Sequence, residues 1–534
     1  MMRLRYGFAI VALFVVSCLP FNVVFSQPLH PAYYNQSYFN EKTLYQPGAN
    51  VHTSVKPYFL PEIQSLIAND TTQHETDARL WTKIKHKFTQ THFFTIRSKD
   101  IHVTLDPLLQ WEGGRESGNS DLLYKNTRGF MLEGNIGKNV AFASRFYENQ
   151  ATFCGYMDDF IRAKGVVPGQ GAVKNFKGDG FDFSRSEAYI SYSPSSYFNF
   201  QFGHGKNFFG DGYRSLLLSD NAFSYPFLKI TTNIWKIKYI NLYMQLQDKN
   251  LPYSKNLGYQ KKYATMQYLS YQIHPRVQIG LFEAIVWEAQ DSSGYRGFEL
   301  NYLDPVIFLR PVEFSVGSPD NALMGANLNV KIGKHSVAYG QLLLDEFKLK
   351  EMTKGNGWWG NKFGWQLGGK MFNALNIPDL YLQAEFNSVR PYTYSHWSSL
   401  QNYGHYNQSL AHPLGANFNE FVGIARYNYH RWYASLKFNY ALYGLDTAGQ
   451  NFGKNIYLSY DDHVSEYHNK IGQGLRTNLY MAKAELSYLI NPAYNLNVYG
   501  GYLYRKETNK HYTDNTSFVY FGIRTSVENI YDDF

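Results

Sequence analysis

Cysteine is close to absent from this chain of 534 residues, which has only Cys18 and Cys154. Cys18 lies in an N-terminal leader, so the mature chain can close no internal disulfide and build no multi-thiolate metal cluster. Long apolar runs are missing as well. Beyond residue 26 no stretch of 18 or more apolar residues occurs, which argues against a helical membrane span there. Neither sign of charge dominates, with 51 Lys+Arg against 43 Asp+Glu and a formal net charge of +8. Nucleic-acid binders carry a basic stripe or a recognisable motif; neither is present, and no nucleic-acid partner is expected. An acidic sugar polymer stays compatible with this mild balance.

Signatures of catalysis are missing too. There is no Gly-x-Ser-x-Gly elbow, no His-Glu-x-x-His helix and no Walker loop. Gly203-x-Gly205 lacks the later spacing and the βαβ unit of a dinucleotide fingerprint. Asp345 and Glu346 are neighbours, so on a strand they point to opposite faces and make a poor catalytic pair. No enzyme activity, cofactor or resident metal is expected.

Aromatic residues are abundant: 46 Tyr, 39 Phe and 9 Trp make 18% of the chain. Girdles at two membrane interfaces would use that excess. The pattern between Trp432 and Leu442 says how. Trp432, Ala434, Leu436, Phe438, Tyr440 and Leu442 alternate with Tyr433, Ser435, Lys437, Asn439 and Ala441, one oily face against one wet face. A strand sends successive side chains to opposite sides, so such a stretch is a wall between lipid and water. Polar lumen residues dilute the oily ones, and a mean hydropathy of −0.40 fits.

The chain also begins with an export signal. Arg3 and Arg5 precede an apolar run from Gly7 to Leu19, and Val24-Phe25-Ser26 before Gln27 completes a signal peptide over residues 1–26. Val15-Val16-Ser17-Cys18 offers a competing route, lipoprotein processing at Cys18, with Val a weaker match than Leu at the head of that motif. Residues 27–98 form a lead-in, in which Leu80, Ile84 and Phe88 fall four apart as in a short amphipathic helix packed under the barrel mouth. Residues 99–527 alternate strand-like runs with tight turns and long connections in strict turn, and 528–534 reads as a C-terminal tail.

The eight tight turns centre on 136–139, 193–196, 235–236, 274–276, 332–334, 377–379, 429–431 and 491–493. The nine long connections lie near 112–124, 150–184, 207–225, 248–261, 288–322, 347–362, 390–418, 444–477 and 507–516. Outer-membrane barrels place tight turns on the periplasmic side and long loops outside, so both termini face the periplasm. The expected fold is all-β: an antiparallel transmembrane barrel of 18 strands, with 16 as the next fit, in the cell outer membrane. The run 298–316 reads as either strand or loop. Phe534 is aromatic, as the last residue of such barrels commonly is, yet the alternation Phe518 to Ile523 stops well before it.

Three segments disagree in composition with their places in loops. From Gly203 to Asp220, glycines and charges meet Leu216-Leu217-Leu218, an apolar load that a solvated loop would not expose, so the loop is expected to fold into the barrel. There His204, Lys206, Asp211 and Arg214 either face what enters the lumen or satisfy one another. Pro305 and Pro311 stiffen the second segment, where Arg310 and Glu313, followed by Asp320 and Asn321, either bind a ligand or pair among themselves. In the third, Gln341 to Phe347 with Asp345 precedes Trp358-Trp359, which either stack on sugar rings or mark the outer interfacial belt. Calcium at Gly178-Asp179-Gly180 or Asp211 stays open.

The runs Gly203 to Asp220, Arg310 to Phe314 with Gly317 to Asn321, and Gln341 to Phe347 resemble the Wzi capsule-assembly family of outer-membrane proteins, in its RemB-like branch associated with gliding motility. Arg145-Phe146-Tyr147-Glu148 adds a further block. The resemblance implies an 18-stranded barrel with a periplasmic helical portion that holds surface polysaccharide in a lectin-like way. The candidate ligand residues, chosen on their chemistry, are Arg145, Tyr147, His204, Lys206, Asp211, Arg214, Arg310, Glu313, Asp320, Asn321, Asp345, Trp358 and Trp359. The partners expected are the lipid bilayer and an acidic surface polysaccharide. The alternative is a subunit of a motility or secretion apparatus that works through protein partners, and a third class is an open diffusion porin.

Overall fold

The structure, a computed structural model, describes residues 28–29, 41–46, 48–63, 66, 80–249, 258–291, 294–308, 317, 320–527 and 531–534. The leader, Arg310 and Glu313 lie outside the described residues. Eighteen long strands carry the fold: β1 (Ile101–Glu116), β2 (Leu123–Ile136), β3 (Val140–Ala151), β4 (Gly180–Tyr192), β5 (Phe198–Gly205), β6 (Tyr225–Ile234), β7 (Ile237–Asp248), β8 (Gln260–His274), β9 (Val277–Glu288), β10 (Asn321–Ile332), β11 (Ser336–Glu346), β12 (Lys362–Phe372), β13 (Leu380–Val389), β14 (Phe418–Tyr429), β15 (Trp432–Leu445), β16 (Leu475–Asn491), β17 (Leu496–Thr508) and β18 (Thr513–Arg524). Each pairs antiparallel with the next, and β18 returns to β1. Closure leaves no backbone edge for lipid to strand, which is why the sheet takes this form.

The turns and loops fall where the sequence puts them. Each odd strand runs into a loop at the outer end and each even strand into a tight turn at the other. The stretch 298–308 is loop, with one 3-10 turn at Leu300–Leu303. The two faces of β15 are as the alternation requires: Leu436 and Phe438 are 53% and 41% exposed on the outside, Lys437 and Asn439 only 7% and 1% inside. Exposed Trp235, Tyr429 and Trp432 gather beside the tight turns, one interfacial belt. A closed wall with an apolar outer band places the protein in the outer membrane. An arginine at Leu436, near the middle of that band, is expected to cost about 2–4 kcal/mol of folding free energy in bilayers. Reversible urea titration of the variant in lipid vesicles checks this; no shift would mean that residue 436 does not meet acyl chains.

The seam between β18 and β1 covers only the upper part of β1, from Phe518 opposite Glu116 to Arg524 opposite Gln110. Below it Thr525 bonds Leu109, and the short strand Phe94–Arg97 pairs with residues 102–105. Pro107, which has no N–H to donate, falls at the junction. Helix α1 (Leu80–Thr89) ends beneath the rim, where Asn491 Nδ2 and the Tyr494 hydroxyl donate to the Lys87 carbonyl.

One outer loop lies against the outside of the wall. Outward-facing Tyr263, Ile285 and Trp287 pack on Phe298 and Tyr302. Further down, wall side chains satisfy the loop backbone: Tyr243, Gln267 and Tyr239 donate to the carbonyls of Leu303, Asp304 and Pro305, and Glu283 accepts from the Phe308 N–H. Irregular backbone at membrane depth needs such partners. The side turned away from the wall shows Leu300, Leu303 and Val306.

Candidate functional site

The lumen is filled from three directions. From the outer side the loop 206–224 folds inward, and Leu216, Leu217 and Leu218 are fully buried against Phe282, Leu323, Leu343 and Val389 of the wall. The loop 390–417 lies over it, Tyr394 and Tyr403 donating to the carbonyls of Leu216 and Leu217. From the periplasmic side come residues 41–46 and 48–63, where Lys331 Nζ donates to the Ala49 carbonyl. Residues 531–534 form the third part.

Each charge of the inward loop has internal partners. Asp211 accepts from Tyr45 and Thr53 at 2.7 Å and from Asn327 and Asn329 at 2.9 Å, which ties the loop to the periplasmic segment and to β10. Arg214 meets Glu420 Oε1 at 2.9 Å, Asp533 Oδ1 at 3.0 Å and the Asp533 carbonyl at 2.8 Å, between the rings of Tyr213 and Tyr531. Burial works against its charge, but Asp533 and Glu420 outweigh that and hold the guanidinium well above its usual range. Lys206 Nζ donates to the carbonyls of Gly169 and Asp220, both at 2.9 Å. His204, on β5, bonds the Ser186 carbonyl at 3.0 Å and meets Phe223 edge-on.

The remaining candidates are scattered. Arg145 and Tyr147 point inward from β3, Arg145 to Glu133 at 2.9 Å and Tyr147 onto Leu108 and Met131. Asp320 and Asn321, adjacent in sequence at the top of the wall, share Gln401, whose side chain donates to Asp320 at 3.2 Å. Asp320 takes both Arg296 nitrogens at 2.9 Å and the Tyr302 hydroxyl, whereas Asn321 donates inward to the Gln401 carbonyl. Asp345 sits 3.3 Å from Lys362 Nζ and accepts from the Tyr394 N–H, while Glu346 beside it is part exposed.

The two tryptophans lie in the outer loop between β11 and β12, half-buried, and they bring new partners. Trp358 and Trp359 both donate their indole N–H to Glu466 Oε2, at 3.3 and 3.1 Å. His463 stacks on Trp359 at 4.4 Å, Tyr460 lies 5.0 Å away, and Lys348 Nζ stands 4.6 Å over Trp358. Helix α2 (Gly155–Lys164) descends elsewhere, and its Phe160 and Tyr156 meet Phe534. Sequence reasoning missed Tyr460, His463, Glu466 and Lys348, because they sit in aperiodic loops. It also missed Glu420 and the tail carboxylates; Glu420 shows only as an acid on the wet face of β14.

No protein-family model and no curated protein matches the chain. Among solved structures it is similar to Wzi of Escherichia coli, described as an outer-membrane protein involved in group 1 capsule assembly and a carbohydrate-binding β-barrel. The TM-score is 0.54 at 12% identity, over 95% of this chain and 99% of that one. OprD of Pseudomonas aeruginosa is similar with a TM-score of 0.42 at 10% identity, over 82% of this chain and 96% of that one. OccAB2 of Acinetobacter baumannii gives 0.45 at 8%, over 79% and 97%. The likeness to Wzi is one of fold: this chain is a Wzi-like 18-strand outer-membrane barrel.

Proposed function

We propose that this protein is a non-enzymatic barrel that holds an acidic surface polysaccharide at the outer face of the membrane. The observation that carries this reading is the group formed by Trp358, Trp359, Tyr460, His463, Glu466 and Lys348. Indole faces stack on the apolar faces of sugar rings, Lys348 meets a sugar carboxylate, and Glu466 and His463 meet hydroxyls. The filled lumen speaks against a diffusion porin. The capsule-assembly role and the RemB-like, gliding-associated branch rest on the sequence blocks around Gly203 to Asp220 and Gln341 to Phe347. A motility or secretion partner is the second reading, and α1, with Lys85 and Phe88 exposed below the rim, is the surface it would use.

Aromatic contacts of this kind contribute about 0.5–1.5 kcal/mol each. Replacing both tryptophans by alanine is therefore expected to weaken retention of an acidic polymer on whole cells by about tenfold. Lys348→Gln should weaken the acidic polymer and spare a neutral one. Unchanged retention in a well-assembled Trp358→Ala/Trp359→Ala variant would remove the platform from the function.

A further inference from the structure

On the inner wall, β15 and β16 place Lys437 directly opposite Lys483. Like charges in that register repel, and the ladder leaves no freedom to separate them. The chain answers with Asp532, whose carboxylate bridges the two: Oδ1 lies 3.5 Å from Lys437 Nζ and Oδ2 bonds Lys483 Nζ. Asp533 adds a second carboxylate, 2.8 Å from Lys437 Nζ and 3.0 Å from Arg214 Nη1. Phe534 packs against Phe160 with ring centroids 4.5 Å apart, the planes tilted by 48°. None of residues 531–534 joins the sheet; side chains and single backbone contacts hold them in place.

Beside this tail is a cavity of about 130 Å³, lined by Lys437, Lys483, Asp532, Glu485, Phe518 and Tyr520 among others. It runs from Val527 and Asn495 at the periplasmic rim to Tyr156 and Met157 of α2. One water needs only about 10–15 Å³, so the space is wider than a hydration site.

We infer that residues 531–534 are the built-in occupant of an anion site, and that the Lys437–Lys483 pair takes the carboxylate of a hexuronate sugar when the tail withdraws. Two ammonium groups facing each other across adjacent strands suit the two oxygens of a planar carboxylate, as Asp532 demonstrates. Phe518 and Tyr520 on the same wall offer rings for the sugar to lie against. Burial raises the Asp532 carboxyl, but Lys483 and Lys437 outweigh it and hold it well below the usual carboxylate range. Asp532 therefore stays ionised at neutral pH, and a competing carboxylate displaces it. The sugar class rests on the polysaccharide reading; the anion site does not.

The test is titration calorimetry on the full chain in detergent, with trigalacturonate, maltotriose and inorganic phosphate as probes. Removing a tethered competitor by Asp532→Asn/Asp533→Asn should tighten trigalacturonate binding at least roughly tenfold. The gain should shrink with added salt, vanish when Lys483→Gln is added, and be absent for maltotriose. Asp532→Asn alone keeps Asp533 on Arg214 and serves if the double variant assembles poorly. Equal affinity in wild type and variant would overturn the site. An equal gain for phosphate would overturn the hexuronate. Neither result depends on Trp358 and Trp359, whose own failure would be read in whole-cell retention.

Discussion

An Arg214→Ala variant is expected to lose roughly 3–5 kcal/mol of plug stability while the barrel itself persists. The reason is what stays behind. Glu420 and Asp533, both buried, lose the cation between them. Lys437 and His412 would compensate only in part, since each reaches one of the two carboxylates. The unpaired acids would draw water into the lumen and loosen the loop 206–224 and the tail together. Arg214→Lys should fall between, because an ammonium cannot hold Glu420, Asp533 Oδ1 and the Asp533 carbonyl at once. A triple change, Arg214→Met with Glu420→Gln and Asp533→Asn, should recover much of the loss, as buried ion pairs replaced whole often do. Hydrogen exchange across 206–224 measures the effect. Protection equal to wild type in Arg214→Ala would show that the leucines alone hold the loop.

Acid should open the lumen before it unfolds the wall. Burial, reinforced by Lys238 and Lys331, pulls His52 down to about 3, and burial with Lys362 does the same for His396. His405 is likewise lowered to about 3, by burial first. In Glu41 burial raises the carboxyl, but Lys370 and Lys56 outweigh it and bring it to about 2. All four groups bind protons less readily folded than unfolded. Their contribution is therefore complete above the ordinary values of 6.5 and 4.5, and is lost as pH falls from 6.5 toward 3 for the histidines and from 4.5 toward 2 for Glu41. Each fully shifted group costs up to about 1.4 kcal/mol per pH unit, so the sum by pH 4 is at most on the order of 10 kcal/mol. The expected result is protease cleavage within 41–63 and 390–417 at pH 4 with the β signal in circular dichroism unchanged. His52→Gln should move the midpoint for 41–63 to lower pH. Full protection at pH 4 would refute the scheme.

The wall was legible because one rule governs every residue in it. Lipid outside and water inside force an alternation with period two, and the turns of 193–196 or 491–493 announce themselves by proline and serine or asparagine. The inward loop was legible for a related reason, since Leu216 to Leu218 had to be buried somewhere. Its partners were not. Arg214 meets Glu420 across 206 residues and Asp533 across 319, and no local pattern encodes such a meeting. The tail looked like a loose end because it lacks alternation, and it lacks alternation because side-chain charges, not a ladder, hold it. Asp320 and Asn321 seemed one motif in sequence; Asp320, just before the strand, pairs with Arg296, while both residues share Gln401.

The loop laid along β7 to β9 and the patch beneath it form a single cassette. Delete the loop in an engineered minimal scaffold, and Glu283 loses the Phe308 N–H and Gln267 the Asp304 carbonyl on a face turned to acyl chains. Retain the loop but repaint those positions with valine, and the carbonyl of Asp304 and the amide of Phe308 become the stranded groups. Grafting, trimming or swapping in this sector succeeds only when both halves travel together.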